Sequence, residues 1–124
     1  MAALLSVSAA CSNEPTAGAP QAGTLALRLT TPHADDGAVL FKVSGPAIDT
    51  AMTGDASLRL FTARADQSTV VGVVVGVVDN GTVIRLQVRD VGLAAAYTAQ
   101  VLEVADRQSA LRTSLAGYAL TVAR

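Results

Sequence analysis

From Thr24 onward the apolar residues return at every second position, and a period of two is the signature of half-buried β-strands. Leu25, Leu27 and Leu29 share one face of the stretch Thr24–Thr30. Val39, Phe41 and Val43 share a face of Ala38–Val43, after the turn cluster Pro32–Gly37 and before the break at Gly45-Pro46. Leu58 and Leu60 alternate with Arg59 in Ser57–Ala63. Ser68–Val78 is a β-branched run with apolar residues at both parities, which predicts an interior strand covered at least in part on both faces; its glycines mark a bulge or a close backbone approach. Ile84, Leu86 and Val88 alternate with Arg85, Gln87 and Arg89 in Thr82–Asp90. Asn80-Gly81 between these last two runs predicts a β-hairpin with a type I′ turn, whose central residues both need positive φ. Strands over Tyr97–Val104 and Gly117–Val122 complete a set of seven, and Ala105–Leu115 reads equally as a helical turn or a polar loop.

Seven short strands separated by turn signals predict an all-β fold, a single antiparallel two-sheet β-sandwich of Greek-key, Ig-like or cohesin-like type. A lone sheet would leave its apolar face in water. Burying two faces against each other contributes about 25 cal/mol per Å² of apolar surface. With 51% hydrophobic residues but only 3% aromatics and no Trp, the core must be aliphatic. Its four aromatics are Phe41, Phe61, Tyr97 and Tyr118, and both tyrosines fall on apolar strand faces, in the core or packed at an edge.

A net charge of −1 provides no general attraction to nucleic acid, so no nucleic-acid partner is expected. A single cysteine excludes an internal disulfide. No apolar run approaches the roughly 18 residues of a spanning helix. The longest apolar block, Val70–Val78, holds two glycines.

The one cysteine, Cys11, follows the short apolar run Met1–Ala10 and the small pair Ala9-Ala10. This arrangement resembles the lipobox of bacterial lipoprotein signal peptides, in which the chain is cut before the cysteine and the new terminus is acylated. The resemblance implies a signal peptide over residues 1–10 and lipidation of Cys11; no basic residue precedes the run, which a start upstream of Met1 would explain. The alternative is an unprocessed N-terminus with a free or buried thiol. Residues 12–23 are small, polar and rich in Pro and Gly, the composition of a flexible tether. The implied division is residues 1–10 signal peptide, 11–23 lipidated cysteine and tether, and 24–124 sandwich domain. The implied location is the cell envelope, periplasmic or at the outer-membrane or cell surface, with the membrane contacted through Cys11.

The clusters Gly37-Ala38-Val39-Leu40-Phe41-Lys42-Val43 and Tyr97-Thr98-Ala99-Gln100-Val101-Leu102-Glu103-Val104-Ala105-Asp106 resemble cohesin-like β-sandwich modules of bacterial surface proteins. What the resemblance implies is a sandwich that recognises a partner module. No partner-binding motif of that group matches residue by residue.

The inventory of reactive groups is thin. His33 beside Asp35 and Asp36 reads either as a weak metal-binding corner or as a solvated turn whose carboxylates cap backbone N–H groups. Asp79, Asp90 and Asp106 each stand at a strand end, where they stop strands or, if the loops converge, share a site. Arg85, Gln87 and Arg89 form a polar stripe, either a solvated sheet face or a contact surface for an acidic ligand or a sugar. No catalytic residues, metal ligands or cofactors are expected. Two functions remain: a non-catalytic lipid-anchored envelope module for protein interaction or envelope structure, and a secreted or periplasmic glycan-binding domain.

Overall fold

The computed structural model describes residues 19–124. The expected signal peptide, Cys11 and most of the expected tether lie outside the described residues. Eight strands follow one another: β1 Gly23–Thr30, β2 Asp36–Ser44, β3 Ile48–Thr53, β4 Arg59–Asp66, β5 Thr69–Val78, β6 Gly81–Val88, β7 Thr98–Asp106 and β8 Ala119–Ala123. A 3₁₀ segment, Val91–Ala96, joins β6 to β7. The strands form two four-stranded antiparallel sheets, a first in the order β3-β6-β1-β8 and a second in the order β4-β5-β2-β7. The fold is therefore the expected all-β sandwich.

The inward faces follow the two-residue period. Leu25, Leu27 and Leu29 of β1 meet Val39, Phe41 and Val43 of β2 and Ile84, Leu86 and Val88 of β6 in one core, each fully or almost fully buried. A Cβ on Gly72 would stand 2.9 Å from the Phe41 ring, so this glycine makes room for the largest core side chain. Tyr97 is buried, and its hydroxyl donates to the Ala47 carbonyl at 2.8 Å.

The structure differs from the sequence expectation in two places. The eighth strand, β3, carries Ile-Asp-Thr-Ala-Met-Thr, too polar to show a period, because as an edge strand it turns only Ile48, Ala51 and Thr53 toward the core side. Asn80-Gly81 is not a hairpin turn. Strand β5 pairs with β2 and β4, strand β6 pairs with β1 and β3, and the connection between them crosses from one sheet to the other. Gly81 has φ of +125° but Asn80 does not share a positive φ, and its side chain instead accepts from the Thr31 N–H at 2.9 Å. Local turn chemistry is overruled here because both strands already have a partner on each side. Of the two readings of Ala105–Leu115, the structure takes the loop, which begins where β7 ends at Asp106. It folds back so that the Arg107 N–H reaches the Asp35 carbonyl and the Arg112 N–H reaches the Val104 carbonyl.

Candidate functional site

Three groupings of side chains merit a functional reading, and the first is built around Asp36. This residue opens β2, and its carboxylate has no exposed surface. Four groups meet it. Thr31 donates from its hydroxyl, Tyr118 donates from its hydroxyl at 2.8 Å, and Arg112 donates from Nε at 3.2 Å and Nη2 at 2.8 Å. Arg112 also reaches Asp35 at 2.6 Å. The single Tyr118 proton goes to Asp36, so His33 is the donor in its 3.0 Å contact with the Tyr118 oxygen. The two rings stack with centroids 5.8 Å apart.

Burial pushes the Asp36 carboxyl up, but the donors Thr31, Arg112 and Tyr118 and the Arg112 charge together hold it below the usual carboxylate range. Burial raises the Tyr118 hydroxyl, with the neighbouring Asp36 carboxylate adding to the shift. The Arg112 guanidinium is held charged by Asp36 and then Asp35. The arrangement ties the 31–36 turn, the 105–112 loop and the start of β8 to one point. It corrects the expectation of a solvated turn: Asp36 is buried and hydrogen-bonded to side chains. A carboxylate with no solvent access and every oxygen engaged is a structural clamp and does not reach a substrate. Among the described residues, no group of three or more His, Cys, Asp or Glu is placed to hold a metal ion.

The strand-end aspartates do not converge. Asp79 accepts from the Asn80 N–H at 2.8 Å, and Asp90 accepts from Gly92 at 2.9 Å and Gln21 at 3.2 Å. Asp106 accepts from Gln108 at 2.8 Å and Ala110 at 3.0 Å, and these backbone donors hold its carboxyl below the ordinary value. Asp79 and Asp106 serve their own loops, and Asp90 also fixes the chain entering β1 through Gln21.

The second grouping is the outer face of the first sheet. Arg85, Gln87 and Arg89 are all exposed there. Arg85 stands between Met52 of β3 and Ala26 of β1, and Gln87 between Thr50 and Thr24. Arg89 is engaged sideways in a 3.1 Å ion pair with Asp49. Arg28 and Thr121 lie on the same face, which is largely polar.

The third grouping was not singled out from the sequence. On the outer face of the second sheet, Phe61, Val73, Leu40 and Glu103 stand side by side across β4, β5, β2 and β7. The row on one side is Arg59, Val75, Ala38 and Ala105, and Leu111 extends it by a bridge to Ala105. The row on the other side is Ala63, Val71, Lys42 and Gln100. Phe61 is 57% exposed and Leu111 62%, while Leu40, Val71 and Val73 are half-buried. The signal was present in the sequence as the odd-parity valines of β5, which the expectation of two covered faces had assigned to the interior. Beside this face, an open cleft of about 450 Å³ between the edges β3 and β4 is lined by Met52, Leu60 and Phe61.

Among the described residues no helix is long and apolar enough to cross a membrane. No protein family's sequence pattern matches the chain, and no curated protein or solved structure matches it.

Proposed function

We propose that the protein is a non-catalytic, cohesin-like module of the cell envelope, held to a membrane by lipid on Cys11, that acts by presenting a sheet face to another protein. The observation that carries this reading is the apolar outer face of the second sheet. Contiguous exposed apolar surface on a folded domain marks an interaction site, because leaving it in water costs free energy that a partner recovers. The clamp at Asp36 supports the same reading, since the most interconnected polar group in the fold is turned inward and engaged with its own chain. A glycan ligand is the second reading, favoured by the hydrogen-bonding row Thr50, Gln87 and Thr24 beside Arg85 on the first sheet.

The anchor is tested by detergent partitioning in a bacterial host, with the full signal sequence supplied. Wild type is expected in the detergent phase and Cys11→Ser in the aqueous phase or unprocessed, because two or more acyl chains give stable attachment. Equal partitioning would remove the anchor. The binding role is tested by capture from envelope extract, with Phe61→Asp as the control for the second sheet and Gln87→Ala for the first. Turnover of a hydrolase substrate that disappears on mutating one aspartate would overturn the non-catalytic reading.

A further inference from the structure

The outer face of the second sheet carries its charges asymmetrically. Arg59 lies on the β4 edge and Glu103 on the β7 edge, one row apart, with apolar residues of β5 and β2 between them. We propose that this face is covered by the same face of a second copy of the chain, related by a two-fold axis running parallel to the strands. The inference rests on the interaction reading above and names the occupant of that surface.

The axis follows from charge. A two-fold axis along the strands lays β7 of one copy over β4 of the other and keeps each row facing itself. Glu103 then stands above Phe61 of the second copy, within reach of the long Arg59 side chain in the next row, and symmetry makes the contact twice. Val73 and Leu40 interlock along the axis. A two-fold axis across the strands at the middle row would instead set Glu103 on Glu103, a like-charge contact that opposes docking. This axis also brings the two Lys42 side chains into one row on either side of it, a like-charge contact that is relieved if each stem lies on the patch and each ammonium extends to the polar border formed by Ser44, Thr69 and Thr98.

The position of the N-terminal chain suits the same axis if Cys11 carries the anchor. Gly23 enters β1 opposite Val88, and Val88 lies opposite Ile48, just past the end of β2 at Ser44. An axis along the strands brings both entry points to one end of the dimer, so two lipids on Cys11 meet the same membrane. An axis across the strands sends them to opposite ends.

The area fits a small specific interface. Four strands at about 4.8 Å and three rows at about 6.8 Å cover a patch of roughly 400 Å² in projection per copy, more in accessible area once the side chains interlock. That falls in the range of weak, transient association, so a readily reversible dimer is expected. Confinement of both anchors to one membrane raises its occupancy.

Sedimentation equilibrium of the full chain, kept free of lipid by Cys11→Ser, tests the proposal. Wild type is expected to show a reversible monomer–dimer equilibrium. Glu103→Arg should weaken it by about tenfold or more, and the double variant Arg59→Glu with Glu103→Arg should restore it to near wild type. Circular dichroism and an unchanged melt confirm that each variant folds. A wild type that stays monomeric at several hundred micromolar, or a double variant as weak as the single, overturns the dimer. A monomer that still captures an envelope protein through Phe61 also overturns it while leaving the interaction reading standing. Loss of both association and capture on wild type removes the two together.

Discussion

Asp36 and the Phe61–Val73–Leu40 row break the in-and-out rule of globular proteins in opposite directions. One is a carboxylate with no exposed surface, the other an apolar stripe left outside. The difference between them lies in who answers the misplacement. Asp36 is answered within the chain by Thr31, Arg112 and Tyr118, so its desolvation is met by charged and hydroxyl donors. The apolar row has neighbours but no cover. A misplaced group satisfied by its own chain is part of the fold's construction, whereas one left unanswered points beyond the chain.

The largest test of that contrast uses adjacent residues. Val74 is fully buried and Val73 faces out. Val74→Asp should place an unpaired carboxylate in the core and cost several kcal/mol, on the order of the whole stability of a domain this size. Val73→Asp should cost about 1 kcal/mol or less in a urea melt. Comparable losses at the two positions would mean that the outer face is covered within the monomer.

Asp36→Ala comes next, at about 3–5 kcal/mol, because it strands the Arg112 charge and leaves the Tyr118 and Thr31 hydroxyls without their acceptor. A shift in the urea midpoint worth less than about 1 kcal/mol would show that the corner is dispensable. The pH dependence sharpens the same point. The folded-state value of Asp36 lies below its unfolded value of 3.8. Its ionisation therefore stabilises the fold fully above the unfolded value, and the contribution fades as pH falls through the folded one. The gap between wild type and Asp36→Asn, measured by thermal melts, should be constant from pH 7 to about 5 and narrow below pH 4. A gap that widens on acidification would reverse the assignment.

Gly81→Val should cost less than the loss of Asp36, at about 1–2 kcal/mol. An added Cβ meets nothing within 4 Å, so the whole cost arises from a φ of +125°. The loss should be nearly the same for Gly81→Ala. A much larger loss for valine would indicate crowding that the open turn does not contain.

The inward faces could be read directly from the sequence because alternation is a local property, and Leu25, Leu27 and Leu29 or Ile84, Leu86 and Val88 carry it without help from elsewhere. Pairing is not local. Asn80-Gly81 has the chemistry of a tight hairpin, yet which strands meet is decided by the partners each already holds. Of the clamp, only the neighbours His33, Asp35 and Asp36 stood out in the sequence. Arg112 and Tyr118 lie 76 and 82 positions beyond Asp36, and nothing near either one announces its acceptor. The stripe Arg85, Gln87 and Arg89 was recognisable as an exposed face, but the Arg89 pairing with Asp49 depends on β3, the strand whose polarity hid it.

The sheet order also sets how the chain must come together in time. Only β4 and β5 are both consecutive in sequence and paired, across the turn at Gln67-Ser68. Every other pairing waits for a long loop to close: β1 with β8 joins Ala26 to Ala123, and β2 with β7 joins Asp36 to Asp106. A topology so poor in local contacts folds in milliseconds to seconds rather than microseconds. The one hairpin able to form early is also the one that carries Phe61, Val71 and Val73, so the earliest local structure on the pathway already displays half of the apolar outer face.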